Sequence, residues 1–194
     1  MQIQNQIILA SQSNARKELL KQLGIKNFKI ISHDIDETIY EIRSSVSSSV
    51  LNISYLKAES VKEKYKNNKN IIISADTIVY RANKIFHKPK SKEEVRRHLN
   101  NLSSRKHLVY GGICVISPKG EVYKKLIKTE VFFHKILDAD LTNQILEDGL
   151  GKAGGYAIQN LGIRFVKKIK GCYTNIVGIS IPELYKILKN LNLI

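Results

Sequence analysis

The sequence predicts an α/β fold built on a mixed sheet. Three observations carry this. Short β-branched runs alternate with helical periodicities over about the first hundred residues. A long hairpin pattern follows around Pro118-Lys119-Gly120, and an α/β alternation then resumes. Alternating strands and helices favour parallel pairing, while an inserted hairpin adds antiparallel pairing.

Ile7 to Ala10 is a short apolar run and reads as a strand. Polar residues follow at once, then a helix with Leu19, Leu20 and Leu23 on one side and Gly24 as its stop. Phe28 to Ser32 is a second strand, and the acidic stretch His33 to Arg43 is a loop. Ser44 to Ser49 is low in complexity and reads either as a surface segment or as a helix entrance. Ile53, Leu56, Val61 and Tyr65 set the apolar spacing of a helix over Val50 to Tyr65. Ile71 to Ser74 and Ile78 to Tyr80 form a buried strand, interrupted or ended by Asp76-Thr77.

Lys88-Pro89-Lys90 breaks the pattern, and Ser91 with Glu94 predicts a capping box for a helix carrying Val95, Leu99 and Leu102. Leu108 to Ser117 and Val122 to His134 are the two hairpin strands. Asp140 to Asp148 is a short helix stopped by Gly149, and Gly149 to Gly155 holds four glycines in seven residues. Such a run usually means a flexible loop. Ile163 to Ile169 is a strand. A last helix is capped by Ser180 and Glu183, with Leu184, Tyr185, Leu188 and Leu191 facing inward.

The chain has 194 residues, 43% apolar and 25% charged, so one domain over 1–194 is expected, with a core that needs no disulfide. Collagen-like and wholly disordered classes are excluded. Cys114 and Cys172 make no C-x-x-C pair and read as two buried free thiols in a reducing compartment. The opening Met1-Gln2-Ile3-Gln4-Asn5-Gln6 lacks the basic region of a signal peptide, and no apolar stretch reaches the roughly 18 residues of a membrane span. A cytoplasmic location is expected. The net charge of +15 has two readings. Lysine makes up 25 of the 32 basic residues, as a biased composition scattered over solvated faces would give. Alternatively the field draws in an anionic partner, a nucleic acid or a phosphorylated small molecule.

Four places combine polar residues with the ends of predicted buried elements. At Ser11-Gln12-Ser13-Asn14-Ala15-Arg16 a strand hands over to a helix, whose exposed N–H groups suit phosphate, with Arg16 as a bidentate partner. A plain helix cap with a surface Arg is the alternative. Asp34, Asp36 and Glu37 could hold a hard divalent cation, or form a solvated acidic loop. Asp76, directly after a buried run, belongs at the carboxyl edge of a sheet, where α/β folds bind ligands; an Asx-turn closing the strand is the alternative. Gly151 to Gln159 offers close backbone approach and, in Gln159, a donor and an acceptor suited to a nucleobase edge. Lys57 and Lys88 either reach a polyphosphate or are ordinary surface lysines. The five histidines are dispersed and read as structural or surface residues.

The order of these signals is more specific than any one of them. Leu9-Ala10-Ser11-Gln12-Ser13 with Arg16, then Asp36-Glu37, Lys57-Ala58, Ala75-Asp76-Thr77 and Lys88-Pro89 resembles the Maf-like nucleoside triphosphate pyrophosphatases. So do Leu102-Ser103 with His107, Val109 and Tyr110, the run Gly151-Lys152-Ala153-Gly154-Gly155-Tyr156 with Ile158 and Gln159, and Asn175 with Val177-Gly178. The resemblance implies an elongated, two-lobed mixed-sheet fold with a central cleft, related to inosine triphosphatases. It implies hydrolysis of a nucleoside triphosphate to the monophosphate and pyrophosphate, with a divalent cation, Mg²⁺ or Mn²⁺. It assigns Asp76 as proton acceptor, groups Glu37, Lys57 and Lys88 with it, and places Ser11 and Arg16 on phosphates. Glu37 and Asp76 are the expected metal ligands, and whether Asp76 takes the proton or holds the metal stays open. Septum formation and removal of non-standard nucleotides are the associated roles.

One departure bears on the substrate. The family's usual Ser-Pro-Arg-Arg reads Ser13-Asn14-Ala15-Arg16 here, so a base-selecting Arg of the thymidine/uridine triphosphate subgroup is Ala15. The other two selectivity positions of that subgroup, Thr77 and Gln159, are retained. A broadened base preference is expected. The expected partners are the nucleotide and, as an open alternative, a second copy of the chain in a homodimer. No nucleic-acid motif is found, although a basic nucleic-acid or division-protein binding module without catalysis is the competing reading.

Overall fold

The structure is a computed structural model that describes residues 6–35, 45–65 and 70–194. Seven strands and six α-helices lie in it: β1 (Gln6–Leu9), α1 (Asn14–Gln22), β2 (Phe28–Ile30), α2 (Val46–Lys64), β3 (Asn70–Arg81), β4 (Lys84–Phe86) and α3 (Lys92–Leu102) come first. β5 (Lys106–Ile116), β6 (Val122–Phe133), α4 (Asn143–Gly149), β7 (Val166–Lys170), α5 (Tyr173–Val177) and α6 (Ile181–Asn190) follow. The strands are ordered β2-β1-β3-β5-β6-β7, with β4 paired to β3. β1 runs parallel to β2 and β3, while β3–β4 and β6–β7 are antiparallel. The sheet is mixed, as the alternation and the hairpin predict.

The chain divides into two compact units. The first comprises residues 1–76, 111–127 and 178–194, and the second residues 77–110 and 128–177. In the first unit, Ile8, Ala10, Ile72, Cys114 and Ile116 meet Ala58 and Val61 of α2. The core of the second gathers Val79, Phe86, Leu99, Val109, Val131, Phe133, Tyr156 and Phe165. Burying these side chains is the main favourable term for each unit, at about 1.5–3 kcal/mol for a large aliphatic or aromatic side chain.

Local chemistry sets the element ends. α1 starts at Ser13, whose hydroxyl accepts from the Arg16 N–H. The serine run is a helix entrance: Ser45 caps α2 by accepting from the Ser48 N–H, and Lys62 and Lys64 suit the negative end of its dipole. α2 therefore begins four residues earlier than the apolar spacing suggests. Ser91 caps α3, but the Glu94 carboxylate accepts from the Lys90 N–H rather than closing the box on Ser91. Ser180 makes no side-chain cap bond to α6, and Glu183 instead pairs with Lys186 and Lys125. Only Leu184 and Leu188 of α6 are buried; Tyr185 is exposed.

Three further readings change. β3 is one continuous strand through Asp76 and Thr77, because both halves pair with neighbours, β1 before this point and β4 after it. The Gly149–Gly155 run is no flexible loop: Gly154 and Gly155 are buried in a short 3₁₀ turn, where the Gly155 N–H donates to Lys152 O. Cys114 is buried and Cys172 only half-buried, and neither is part of a disulfide.

Candidate active site

The first unit brings four of the anticipated residues into two bonded pairs. Lys57 lies on α2 among Val50, Ile53, Ser54, Ala58 and Val61, the buried face of that helix. Its Nζ sits 2.6 Å from Asp76 Oδ1. The two side chains are 1% and 7% exposed, so this is a buried ion pair and not a surface lysine near an Asx-turn. An ion pair removed from water survives when its geometry is good, because leaving either partner alone costs several kcal/mol. Around it, Ser74 Oγ donates to Ser54 O at 2.5 Å and Ser54 Oγ donates to Leu51 O, so these neighbouring buried hydroxyls are also satisfied.

Gly112 allows α2 to lie this close. A Cβ there would come within 2.4 Å of Val50 O and 3.0 Å of Ser54 Oγ. The first obstacle is helix backbone, so no rotamer change relieves it. Sequence reasoning passed over this residue, although a glycine inside a strand is a recognised sign of close backbone approach.

The second pair forms where β1 becomes α1. Ser11 is buried. Its Oγ accepts from Arg16 Nη1 at 3.1 Å and from the Ser13 N–H at 3.3 Å. Arg16 Nε donates to Gly178 O at 3.0 Å. The Ser/Arg motif is thus both a helix cap, through Ser13, and a fixed guanidinium, through Ser11 and Gly178.

Strand register relates the two pairs. Leu9 is level with Ile73, and the Ala10 N–H donates to Ile73 O. β1 ends there while β3 continues to Asp76. Asp76 is therefore not at the carboxyl end of its own strand, as expected from sequence, but lies just beyond the carboxyl end of its parallel neighbour. That is the position where the chain turns from Ser11 into α1, and a strand end followed by a helix start is where open α/β sheets take ligands.

The remaining site residues belong to the second unit. Thr77 is half-buried, and Lys88 and Gln159 are exposed. The loop of Lys88 is tied to the glycine run, since the Gly151 N–H donates to Pro89 O at 3.0 Å. Beside Gln159, Asn160 Nδ2 donates to Asp148. His107 is buried, with Nε2 2.8 Å from the Tyr156 hydroxyl, and both rings pack edge-on with Phe133. Burial pushes the His107 pKa down to about 3, helped by the Arg81 charge, so its ring is neutral and structural at pH 7. Burial likewise pushes the Cys114 thiol up to about 12, leaving it protonated and inert.

Asp36 and Glu37, the acidic pair expected to supply a metal ligand, lie outside the described residues. Among the described residues no group of three or more His, Cys, Asp and Glu side chains is placed to hold a metal ion. Asp76 has the right donor type for a hard cation, a carboxylate oxygen, with one of its two oxygens held by Lys57.

Comparison with known proteins agrees with the motif order. A dTTP/UTP pyrophosphatase of Clostridium botulinum (strain Eklund 17B / Type B) is 42% identical over 185 residues, spanning 94% of this chain and 97% of that protein. Another of that description, from Ruminiclostridium cellulolyticum, is 40% identical over 190 residues, covering 96% of each. Among solved structures, a Staphylococcus aureus Ham1 protein is similar with a TM-score of 0.44 and 17% identity, over 66% of this chain and 71% of that one. A Ham1 protein from Coxiella burnetii gives 0.43 and 15%, over 66% and 72%. The family model described as Maf-like protein matches residues 6–191, and the chain belongs to that family.

Proposed function

We propose that this protein hydrolyses nucleoside triphosphates between the α- and β-phosphates, releasing the monophosphate and pyrophosphate. The observation that carries the reading is the buried Lys57–Asp76 pair beside the strand-to-helix turn of Ser11 and Arg16. A carboxylate for the attacking water and fixed cationic and N–H groups for the phosphates thus lie where β1 ends alongside the middle of β3. A module that binds anions only through its net charge has no need of a buried ion pair.

In this reading Arg16 and the N-terminus of α1 hold phosphate oxygens, and Lys88 supplies a further positive charge. Lys57 fixes the Asp76 carboxylate through Oδ1, which leaves Oδ2 to accept the proton of the attacking water. The water oxygen bonds to phosphorus, the bridging P–O bond breaks, and its electron pair leaves with pyrophosphate. Oriented positioning and electrostatic stabilisation supply most of the rate. Where Oδ2 holds a cation instead of the proton, Asp76 and Glu37 would be the oxygen donors for Mg²⁺ or Mn²⁺. When bound, such a cation neutralises charge on the triphosphate.

Base preference follows from the departures at the selectivity positions. Thr77 and Gln159 favour the thymidine/uridine type, in keeping with relatives described as dTTP/UTP pyrophosphatases. Ala15 in place of a bidentate Arg relaxes the discrimination. Such breadth suits clearance of non-standard nucleotides from the pool.

The test is a panel of standard and modified triphosphates with Mg²⁺ or Mn²⁺, read by pyrophosphate release with and without chelator. Release from dTTP and UTP, a flatter profile than an Ala15→Arg variant gives, and loss on chelation are expected. Orthophosphate as the first product, or full activity in chelator, would contradict the reading.

A further inference from the structure

The motif around Asn175 and Gly178 has no assigned task in the reaction above, yet its last residue touches the phosphate-facing arginine. Gly178 O accepts from Arg16 Nε at 3.0 Å. From the other side, Ser11 Oγ accepts from Arg16 Nη1 at 3.1 Å. A guanidinium is a planar fork, and hydrogen bonds at Nε and at one terminal nitrogen fix its plane.

Gly178 also shapes the path of the side chain. A Cβ built on it would lie 3.3 Å from Arg16 Cγ, a tight contact, and 3.4 Å from Nε, at the edge of ordinary van der Waals contact. Its φ is +145°, a backbone conformation that L side chains rarely adopt. The stem of Arg16 therefore runs against bare backbone, and the carbonyl of that same residue takes its Nε–H. At Ser11 both lone pairs of the hydroxyl are engaged, by Arg16 and by the Ser13 N–H, so this oxygen acts on the arginine and on the start of α1.

We infer that Gly178 and Ser11 are positioning residues that clamp Arg16 from two sides, so that its guanidinium is pre-aimed before nucleotide arrives. The inference rests on the reading of Arg16 as a phosphate ligand. Pre-organisation of this kind matters because a loosely held arginine would have to be ordered each time substrate binds.

The test has two arms. In the first, Gly178→Ala is made in the wild-type chain and in an Arg16→Ala background, and kcat/KM is read by pyrophosphate release. The expected result is a fall of about tenfold or more in the wild-type chain, the loss typical of a hydrogen bond to a charged group. In the Arg16→Ala background the strain of Ala at φ +145° persists but there is no stem to displace, so the fall should be clearly smaller. Equal falls in both backgrounds would show that Gly178 acts on the fold and not through Arg16, and would overturn the inference. Ser11→Ala, which makes no demand on the backbone, serves as the second variant and should show the same coupling.

The second arm is independent of activity. In ¹⁵N-labelled protein, the Arg16 Nε–H resonance, assigned by its loss in Arg16→Ala, should be observable and slow to exchange with water. It should broaden or vanish in Gly178→Ala. An unchanged resonance would refute the clamp, whereas failure of the wild-type chain to release pyrophosphate would refute the proposed function alone.

Discussion

Removing either member of the Lys57–Asp76 pair should destabilise the protein more than removing both. The ions are 2.6 Å apart and almost fully buried. At an effective dielectric constant of about 20, their attraction is on the order of 6 kcal/mol, set against a desolvation cost of several kcal/mol for each ion. Asp76→Asn alone takes the carboxylate at 2.6 Å away from a buried ammonium, and Lys57→Met alone takes the ammonium away from a buried carboxylate. Each should cost about 3–5 kcal/mol. The double variant leaves only a neutral amide to be accommodated and should cost about 1–3 kcal/mol. Urea unfolding followed by circular dichroism is the assay. With a slope of about 2 kcal/mol per molar urea, each single variant should lower the midpoint by about 1.5–2.5 M, and the double variant by clearly less. Single variants within about 1 kcal/mol of wild type, or a double variant that costs the sum of the two, would refute the reasoning. The double variant also separates lost chemistry from lost stability, which Asp76→Asn alone confounds.

The buried neutral His107 should make the second unit acid-sensitive. Its folded pKa, about 3, lies below the ordinary 6.5, so the unfolded chain binds the extra proton between those values and stability falls as the pH drops from 6.5 toward 3. His107→Gln should flatten that slope by about 1.4 kcal/mol per pH unit in urea titrations at stepped pH; an unchanged slope would show that the ring is solvated. Ala82 and Asn83 both have positive φ, 47° and 60°, in the turn joining β3 to β4. Such turns favour Asn-Gly, so Ala82→Asn should raise stability by about 1 kcal/mol, visible in the melting temperature, and a loss would count against the turn geometry. Gly112→Ala should push α2 off β5, lowering stability by about 1–3 kcal/mol and reducing pyrophosphate release through displacement of Lys57. Wild-type activity and stability in that variant would deny the close approach at Gly112.

The alternation of elements, the hairpin and the cap at Ser91 were legible because they depend on local chemistry. Periodicity places Val95, Leu99 and Leu102 on one face and Ser91 at the cap, and the fold keeps both. Asp76 misled local reasoning because a polar residue after Ile71-Ile72-Ile73 looks like a strand end. Pairing with β4 across the short Ala82-Asn83 turn carries the strand through that point. Lys57 carried a readable signal, since it stands between Ile53 and Val61 at helical spacing on the buried face. A lysine inside an apolar stripe needs a buried counter-charge, and the sequence offered several acids without saying which. Ser11 and Arg16 were found as a motif, but their partner Gly178 lies 162 residues from Arg16, and a backbone carbonyl leaves no mark in residue type. In the glycine run, composition alone cannot decide between a flexible loop and a close backbone approach, because it does not show the packing that buries Gly154 and Gly155.

The central claim is that the Lys57–Asp76 pair drives α–β cleavage of a nucleoside triphosphate. The most direct measurement is product analysis of dTTP and UTP hydrolysis by the wild-type chain and by the folded Lys57→Met/Asp76→Asn double variant, resolved by ion-exchange chromatography. The account predicts equimolar monophosphate and pyrophosphate from the wild type and none above background from the double variant. Diphosphate and orthophosphate as products, or undiminished pyrophosphate release without the pair, would contradict it.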